Sequence, residues 1–299
     1  MKFIPPPAAT DVLNLRLLAR NQNLNSFPLL AGSYRDILRS YCTYRNALGN
    51  AKAAALAAAL AIPDQLKPLL RNHYKHPPMS LDQYLLDLRK RTSPDVCSMC
   101  GSAKSGELDH VLPINNFAEF SVFTLNLVPA CDCNRKRSTN FVGPGNGERV
   151  LHPYFDQVLT QRLVRALIEP SAQNGYEGPG ISIFVMPQPG SANYEAVNFH
   201  VTKVLKRTDV LEHFVKTWPK FWSRPEDYFG QPTTLPEFRQ AVRDALSRKD
   251  RHFGTPNNWD SMLFAGLEAN LDASAALWQR MTHIRNQTAV PQTNQFNQP

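Results

Sequence analysis

The sequence predicts an α+β fold made of three regions and a short tail. Apolar residues recur three and four positions apart through much of residues 1–90, which predicts a mainly helical N-terminal region. Residues 91–145 are rich in Cys, Asp, Asn, Gly and basic residues, a composition that indicates turns and a small metal-bearing module. Residues 146–283 mix helical and strand-like patterns, and the polar, aperiodic residues 284–299 predict a flexible tail.

Several helices are expected in the N-terminal region. The segment TDVLNLRLLARN begins with Thr10 and Asp11, either of which could cap a helix. A later helix, SLDQYLLDLRKR, is separated from its predecessors by residues 76–78, His-Pro-Pro, because proline cannot continue the helical hydrogen-bond ladder. The segment AKAAALAAALAI at 51–62 is too short and too Ala-rich to span a bilayer, and it predicts a packed helix. Cys42 lies in a segment of helical periodicity, so we expect a buried core thiol.

The C-terminal region is expected to combine both kinds of secondary structure. The segment DQVLTQRLVRALI at 156–168 predicts a helix, and ISIFVMP at 181–187 and AVNFHVTKV at 196–204 predict two strands. Mostly helical segments follow to about residue 283. His152 and Asp156 lie in LHPYFD, where the proline and the aromatic residues indicate a packed turn and a structural role.

The charge balance favours a polyanionic partner. Lys and Arg number 33 against 25 Asp and Glu, which gives a net charge of +8. Such a balance attracts nucleic acids through long-range electrostatics, although charge alone does not identify one. The first residues, MKFIPPPAATDVLNL, contain no continuous apolar segment of the kind found in secretory signals. We therefore expect a cytoplasmic protein with no membrane role.

Two close cysteine pairs indicate a metal site. Cys97 and Cys100 form the first pair, and Cys131 and Cys133 form the second. Four thiolates from two short pairs can close a tetrahedral zinc site, and a closed shell leaves no position for substrate. We therefore expect a structural zinc. The second pair has one intervening residue instead of the usual two, which requires a tighter turn.

Polar residues between and after the cysteine pairs are candidates for chemistry. Asp109 and His110 are adjacent in ELDHVLP, which suits a short strand whose successive side chains point to opposite faces. A carboxylate suits a hard cation such as Mg²⁺, and an imidazole with a solution pKa near ~6.5 can accept a proton from water. Asn134 begins NRKRS, which we interpret as a first helical turn whose amide oxygen could face the same cation.

The basic residues that follow could contact nucleic acid. Arg135, Lys136 and Arg137 can bind backbone phosphates without reading bases, which predicts salt-sensitive and weakly sequence-specific binding. Considered alone, such a charge run is more often a solvated helix face. Asn126 considered alone would be a turn or cap residue.

In order along the chain, the cysteine pairs, ELDHVLP and TLNLVPACDCNRKRS resemble the ββα-metal core of HNH endonucleases, in the subgroup with zinc-binding cysteine pairs. The resemblance covers roughly residues 95–140. It implies that His110 is the general base, Asp109 the first metal ligand, Asn134 the metal ligand on the helix, and Asn126 the central asparagine that orients the histidine. It further implies one Mg²⁺ or Mn²⁺ ion and DNA as substrate, with 5′-phosphate and 3′-hydroxyl products. Asp109 and Asn134 stand where the most familiar members have histidines.

A weaker resemblance concerns biological context. The segments LHPYFD and GTPNNWDSMLFAGL are similar to sequences that follow the core in Septu-type anti-phage nucleases, which implies a role in defence with an ATPase or another subunit as partner. The alternative is a noncatalytic zinc-ribbon-like module that binds nucleic acid or protein. The sequence predicts no particular oligomeric state.

Overall fold

A computed structural model describes residues 1–8, 10–57, 62–90 and 96–289. It divides the chain into two compact units, and each is described by itself. The first comprises residues 1–164, 185–210 and 253–259, and the second comprises residues 165–184, 211–252 and the chain from 260 onward. Residues 290–299 of the predicted tail lie outside the described residues, and residues 284–289 belong to the last helix.

The predicted helices of the N-terminal region are present. They are α1 Asp11–Arg20, α2 Leu29–Asn46, α3 Ala51–Ala57, α4 Leu66–Lys75 and α5 Met79–Lys90. The break between α4 and α5 falls at the predicted His-Pro-Pro sequence. Thr10 is the N-cap residue of α1 but makes no side-chain cap hydrogen bond. The expectation for Cys42 is wrong, because its side chain is exposed. Residues 58–61, at the end of the predicted Ala-rich helix, lie outside the described residues.

The cysteine-bearing region contains a small antiparallel sheet followed by a short helix. Strand β1, Glu107–His110, pairs with β2, Leu127–Ala130, so that Asp109 faces Val128 and His110 faces Leu127 across the strands. Helix α6, Cys133–Arg137, follows β2 directly. Helix α5 packs on this sheet through Leu85 and Leu88, which contact Leu108 and Leu127 in a buried cluster. The sheet is thus held by the helical region that precedes it.

The predicted helix at 156–168 is wrong. Its first part is a 3-10 helix, Gln157–Thr160, and its second part belongs to strand β3, Val164–Ser171, which pairs with β4, Gly175–Val185. Val164, Ala166 and Ile168 are buried in alternation, which is a strand period. The turn between the strands ends at Asn174, and Gly175, the first residue of β4, has a φ of +55°. Asn-Gly is a hairpin signal, so the sequence did contain the correct indication.

The second predicted strand of this region is also wrong, whereas ISIFVMP is confirmed as the end of β4 as far as Val185. AVNFHVTKV lies in helix α7, Tyr194–Lys203, and continues into the following 3-10 turn. Its β-branched residues suggested a strand, but the buried side chains recur at helical spacing, from Val197 to His200 and Val201. The remaining helices are α8 Val210–Ser223, α9 Glu226–Phe229, α10 Leu235–Phe253, α11 Trp259–Ala269 and α12 Leu271–Ala289.

The mixed α+β class is therefore confirmed, with many helices and two small two-stranded sheets. In the second unit, Asp260 accepts hydrogen bonds from Lys249 at 2.7 Å and pairs with His213 at 2.9 Å, which connects α8, α10 and α11. None of the helices in the described ranges combines the length and the apolar character that a bilayer crossing requires.

Candidate functional site

The four cysteines predicted to bind metal lie together in the first unit. The Sγ atoms of Cys97, Cys100, Cys131 and Cys133 are all within 4.8 Å of one another, and all four residues are buried. Two Sγ···Sγ distances are 3.6 Å, from Cys97 to Cys133, and 3.5 Å, from Cys100 to Cys131. Zn–S bonds of about 2.3 Å in a tetrahedron place sulfurs about 3.8 Å apart. The cluster therefore has the composition and the size to bind zinc.

Local backbone geometry orients these thiols. Backbone N–H groups of Cys100 and Cys131 donate to Cys97 Sγ at 3.4 and 3.3 Å, and the N–H of Cys133 donates to Cys131 Sγ at 3.4 Å. Such donors stabilise thiolate sulfur. Gly101 turns the chain after the first pair with a φ of +81°, and a Cβ at this position would collide with the Asn257 carbonyl. Although only one residue separates Cys131 from Cys133, both of their sulfur atoms join the four-sulfur cluster.

Asp109 forms a buried ion pair with Arg137. The Arg137 guanidinium donates to Asp109 Oδ1 at 2.8 Å, and the two side chains are 1% and 0% exposed. Arg137 also donates to the carbonyl oxygens of His110, at 2.8 Å, and Asn140, at 3.1 Å. Burial raises the pKa of Asp109, and the adjacent guanidinium opposes that shift. The second carboxylate oxygen, Oδ2, is buried and has no hydrogen-bond partner.

The imidazole of His110 is held on two sides. Its Nε2 lies 2.9 Å from the carbonyl oxygen of Ser121. The ring of Tyr74 on α4 packs edge to face against the imidazole, with 4.3 Å between the ring centroids. A carbonyl oxygen only accepts hydrogen bonds, so Nε2 must carry the hydrogen and Nδ1 is the acceptor nitrogen. Burial lowers the pKa of His110 to about 4, and the ring is therefore neutral at physiological pH.

Asn126 connects the segment after β1 to the helical region. Its Oδ1 accepts from the backbone N–H of Leu112 at 2.7 Å, and its Nδ2 donates to the Leu112 carbonyl at 3.1 Å. The hydroxyl of Tyr44 on α2 donates to the same Oδ1 at 3.1 Å and lies 3.2 Å from His152 Nε2. His152 is buried, and its Nε2 lies 2.9 Å from the Leu125 carbonyl oxygen.

A cavity of about 270 Å³ opens beside β1 and α6, and it brings together His110 and Asn134. Asn134 Nδ2 makes a long, 3.5 Å contact with the Leu108 carbonyl. Asp109 is not among the lining residues, and its carboxylate pairs with Arg137, which does line the cavity. The structure thus places two of the three predicted residues at one cavity and the third in an ion pair with a lining residue. The other lining residues are Tyr74, Leu108, Pro113, Ile114, Asn115, Arg135, Ser138 and Thr139.

The three predicted basic residues on α6 have different environments. Arg135 is exposed and pairs with Glu107 at 2.6 Å, whereas Lys136 is half-buried and pairs with Asp209 at 2.9 Å. Arg137 is buried, and its terminal nitrogens donate to Asp109, His110 and Asn140, so in this structure they are not available to a backbone phosphate. Only Arg135 and Lys136 keep a surface position.

Sequence reasoning missed Tyr44, Tyr74 and Ser121, whose contacts hold Asn126 and His110. Tyr44 and Tyr74 come from helices distant in sequence, and Ser121 acts through its backbone carbonyl. No local pattern indicates such contacts. Ser138 was also missed; it lines the cavity and has a φ of +57°, which is unusual for a residue other than glycine.

Comparison with known proteins gives one short match. The chain is 37% identical over 68 residues to Protein ea31 of Escherichia phage lambda. The match covers 22% of this chain and 23% of that protein, so the chain aligns with less than a quarter of its relative. No family profile matches the sequence, and no solved structure matches it.

Proposed function

We propose that this protein is a metal-dependent endonuclease of the HNH type that hydrolyses phosphodiester bonds in DNA. The observation that carries the proposal is the position of His110 and Asn134 at one cavity, beside a two-stranded sheet and a short helix whose first residue, Cys133, belongs to the four-cysteine cluster. The similarity of the cysteine pairs, ELDHVLP and TLNLVPACDCNRKRS to HNH cores supports it. His110 is the residue proposed to act on water.

The contacts of His110 suit a general base. Because its Nε2–H faces the Ser121 carbonyl, the unprotonated Nδ1 can accept a proton from water that attacks phosphorus. Ser121 then stabilises the positive charge that forms on the ring. Asn126 fixes the backbone of Leu112, two residues beyond the histidine, and therefore acts as a positioning residue. Tyr74 restricts rotation of the ring from the other side.

The proposed cation would be held by Asp109 and Asn134. The partnerless Oδ2 of Asp109 is a buried oxygen that needs a positive or donating group, and the amide oxygen of Asn134 receives no hydrogen bond from the described residues. Oxygen ligands of this kind suit Mg²⁺ or Mn²⁺. When bound, such an ion stabilises charge on the pentacoordinate phosphate and on the departing 3′ oxygen. The products would carry a 5′ phosphate and a 3′ hydroxyl.

The four-cysteine cluster is proposed to hold a structural zinc. A shell of four thiolates has no open position, so it would stabilise the fold and take no part in the reaction. Arg135 and Lys136 are proposed to contact DNA phosphates at the surface, after exchange of their present carboxylate partners. The net charge of +8 supports a polyanionic substrate.

The proposed setting is the cytoplasm, in anti-phage defence with an ATPase or another subunit as partner. This part rests on the similarity of LHPYFD and GTPNNWDSMLFAGL to Septu-type nucleases.

A noncatalytic zinc module that binds nucleic acid or protein is the second candidate. The observation that favours it is the ion pair between Asp109 and Arg137, which already neutralises one oxygen of the proposed metal ligand. A titration that finds one tightly bound zinc, and no Mg²⁺-dependent change in the NMR signals of Asp109 and Asn134, would support this candidate over the nuclease.

Plasmid cleavage tests the proposal directly. Zinc-loaded wild type, His110→Ala and the control His76→Ala, whose side chain is exposed on the linker after α4, are incubated with plasmid and Mg²⁺ or Mn²⁺. We expect nicked or linear product from wild type and control, with ends that a ligase can rejoin, and at least a hundredfold less from His110→Ala, since general base catalysis contributes roughly that factor. Equal inactivity of the three folded proteins on double-stranded DNA, single-stranded DNA and RNA would overturn it.

A further inference from the structure

A second cavity of the first unit lies away from the proposed catalytic residues. It has a volume of about 410 Å³ and is formed by α1 and α2. Arg16, Ala19 and Arg20 contribute from α1, and Ala31 and Tyr34 contribute from α2. We call it the α1–α2 cleft. Both arginines are exposed, Ala19 is buried beneath them, and Tyr34 is half-buried, so the cleft has an apolar floor, an aromatic wall and a basic edge.

The two arginines of the cleft have no carboxylate partner, unlike several other arginines of the same unit. In the described part of the chain, neither Arg16 nor Arg20 forms an ion pair or a hydrogen bond through its side chain. The arginines of this unit that do pair with a carboxylate include Arg39, Arg45, Arg135, Arg137 and Arg149. The cleft therefore offers free guanidinium donors.

The spacing of Arg16 and Arg20 does not stabilise helix α1. Arg16 and Arg20 are four residues apart and thus neighbours on one helix face, where like charges destabilise by roughly 0.2–0.5 kcal/mol. Arg20 lies in the last turn of α1 and can interact with the helix dipole, but Arg16 lies a full turn earlier. An anion bound between the two guanidinium groups would remove the repulsion.

We propose that the α1–α2 cleft binds the phosphodiester backbone of a nucleic acid strand, with Arg16 and Arg20 on phosphate oxygens. Guanidinium groups bind phosphates through paired hydrogen bonds, and the Tyr34 ring provides a surface on which a sugar or an unpaired base can pack. A continuing strand is favoured over a free nucleotide because both arginines and Ala31 are exposed, which leaves the edge of the cleft open to a polymer. The cleft would be a second DNA contact, and in this respect the inference rests on the proposed function.

The test is a binding measurement that needs no cleavage. Full-length, zinc-loaded His110→Ala protein is titrated into a fluorescent duplex and a fluorescent single strand over a salt series, and anisotropy gives the dissociation constants. The test variant adds Arg16→Gln and Arg20→Gln. The control variant adds Arg243→Gln and Arg251→Gln, which remove the same charge from exposed positions on α10 whose hydrogen bonds are to Gln240 and Ser247. Glutamine keeps the helix propensity of arginine, so folding should be unchanged.

We expect the test variant to bind about tenfold more weakly than the control, with the slope of log K against log salt reduced by about 1 to 2, as for the loss of one or two phosphate contacts. Affinities and slopes equal to those of the control on both nucleic acids would overturn the inference. Loss of ATP or inorganic phosphate binding, with DNA binding unchanged, would also overturn it in favour of a small ligand.

These outcomes are independent of the catalytic proposal. If wild type cleaves no plasmid but DNA binding still depends on Arg16 and Arg20, the nuclease assignment fails and the cleft assignment stands. If wild type cleaves plasmid and loss of the two arginines weakens DNA binding no more than the control substitutions do, the nuclease assignment stands and the cleft assignment fails.

Discussion

Arg137 and Asp109 form an ion pair at 2.8 Å in which neither side chain is more than 1% exposed. It connects the last residue of α6 to β1, and a further hydrogen bond from Arg137 to the His110 carbonyl continues the connection. The same contact engages Oδ1 of Asp109 and leaves Oδ2 buried without a hydrogen-bond partner. The Arg137 side chain therefore fixes the position of both Asp109 and the His110 backbone relative to α6.

We predict that Arg137→Gln is strongly destabilising. The substitution leaves the Asp109 carboxylate buried without its positive partner, and breaking a buried ion pair in this way costs about 3 to 5 kcal/mol. Arg135→Gln is the control, because Arg135 pairs with Glu107 at the surface, where such pairs contribute about 0 to 1 kcal/mol. Urea denaturation measures both free energies of unfolding. Similar values for the two variants would mean that the buried pair is not important for stability.

We predict that Cys97→Ser abolishes binding of the proposed zinc and unfolds the cysteine-bearing region. A structural zinc contributes about 10 to 16 kcal/mol in small zinc-binding peptides, so the loss of one ligand should remove a large part of the stability here. Cys42→Ser is the matched control, since Cys42 is an exposed cysteine outside the cluster. Metal analysis measures the zinc content of both variants, and thermal denaturation measures their melting temperatures. Unchanged zinc content and melting temperature without Cys97 would contradict the structural role.

The fold was predictable where sequence signals are local. The helices before residue 90, the break at His76–Pro78 and the convergence of the cysteine pairs follow from periodicity, proline chemistry and spacing. AVNFHVTKV was misinterpreted because its β-branched residues favour a strand, whereas burial of Val197, His200 and Val201 on one face makes it a helix. Packing outweighed propensity in that segment.

The surroundings of the candidate residues were only partly predictable from the sequence. His110 and Asn134 do line one cavity, yet the burial of Arg137 against Asp109 could not be inferred from a run of three basic residues. The same is true of Tyr44 and Tyr74, whose contacts depend on how α2 and α4 pack. Interactions between distant segments are set by tertiary structure and leave no local pattern.

We predict that Ser138→Gly stabilises the protein. Ser138 follows α6 with a φ of +57° and a ψ of −133°, a conformation that glycine adopts without the steric cost paid by a residue with a Cβ. The expected gain is about 1 kcal/mol, reduced by the greater freedom of glycine in the unfolded chain. Ser138→Ala keeps the strain and should leave the stability nearly unchanged. If chemical denaturation shows glycine to be no better than alanine, the strain at this position is negligible.

We predict that Glu119 makes stability fall as the pH rises from about 4.5 to about 7. Glu119 is 5% exposed, and burial raises its pKa from 4.5 to about 7, against the opposing effects of a backbone hydrogen bond and the charge of Lys67. Below pH 4.5 the carboxyl is protonated in both states. Between the two pKa values the unfolded chain has released the proton and the folded chain has not, so each increase in pH favours unfolding. Above pH 7 the folded protein must bury the charge.

Glu119→Gln removes this titration. It should therefore raise stability at pH 8 by about 1 to 3 kcal/mol, the upper figure following from the shift to about 7 at 1.36 kcal/mol per unit, and change it little at pH 4. Glu195→Gln, at an exposed position on α7, is the control. Free energies of unfolding are measured across this pH range. Parallel pH profiles for Glu119→Gln and wild type would show that the carboxyl reaches solvent and titrates as it does in the unfolded chain.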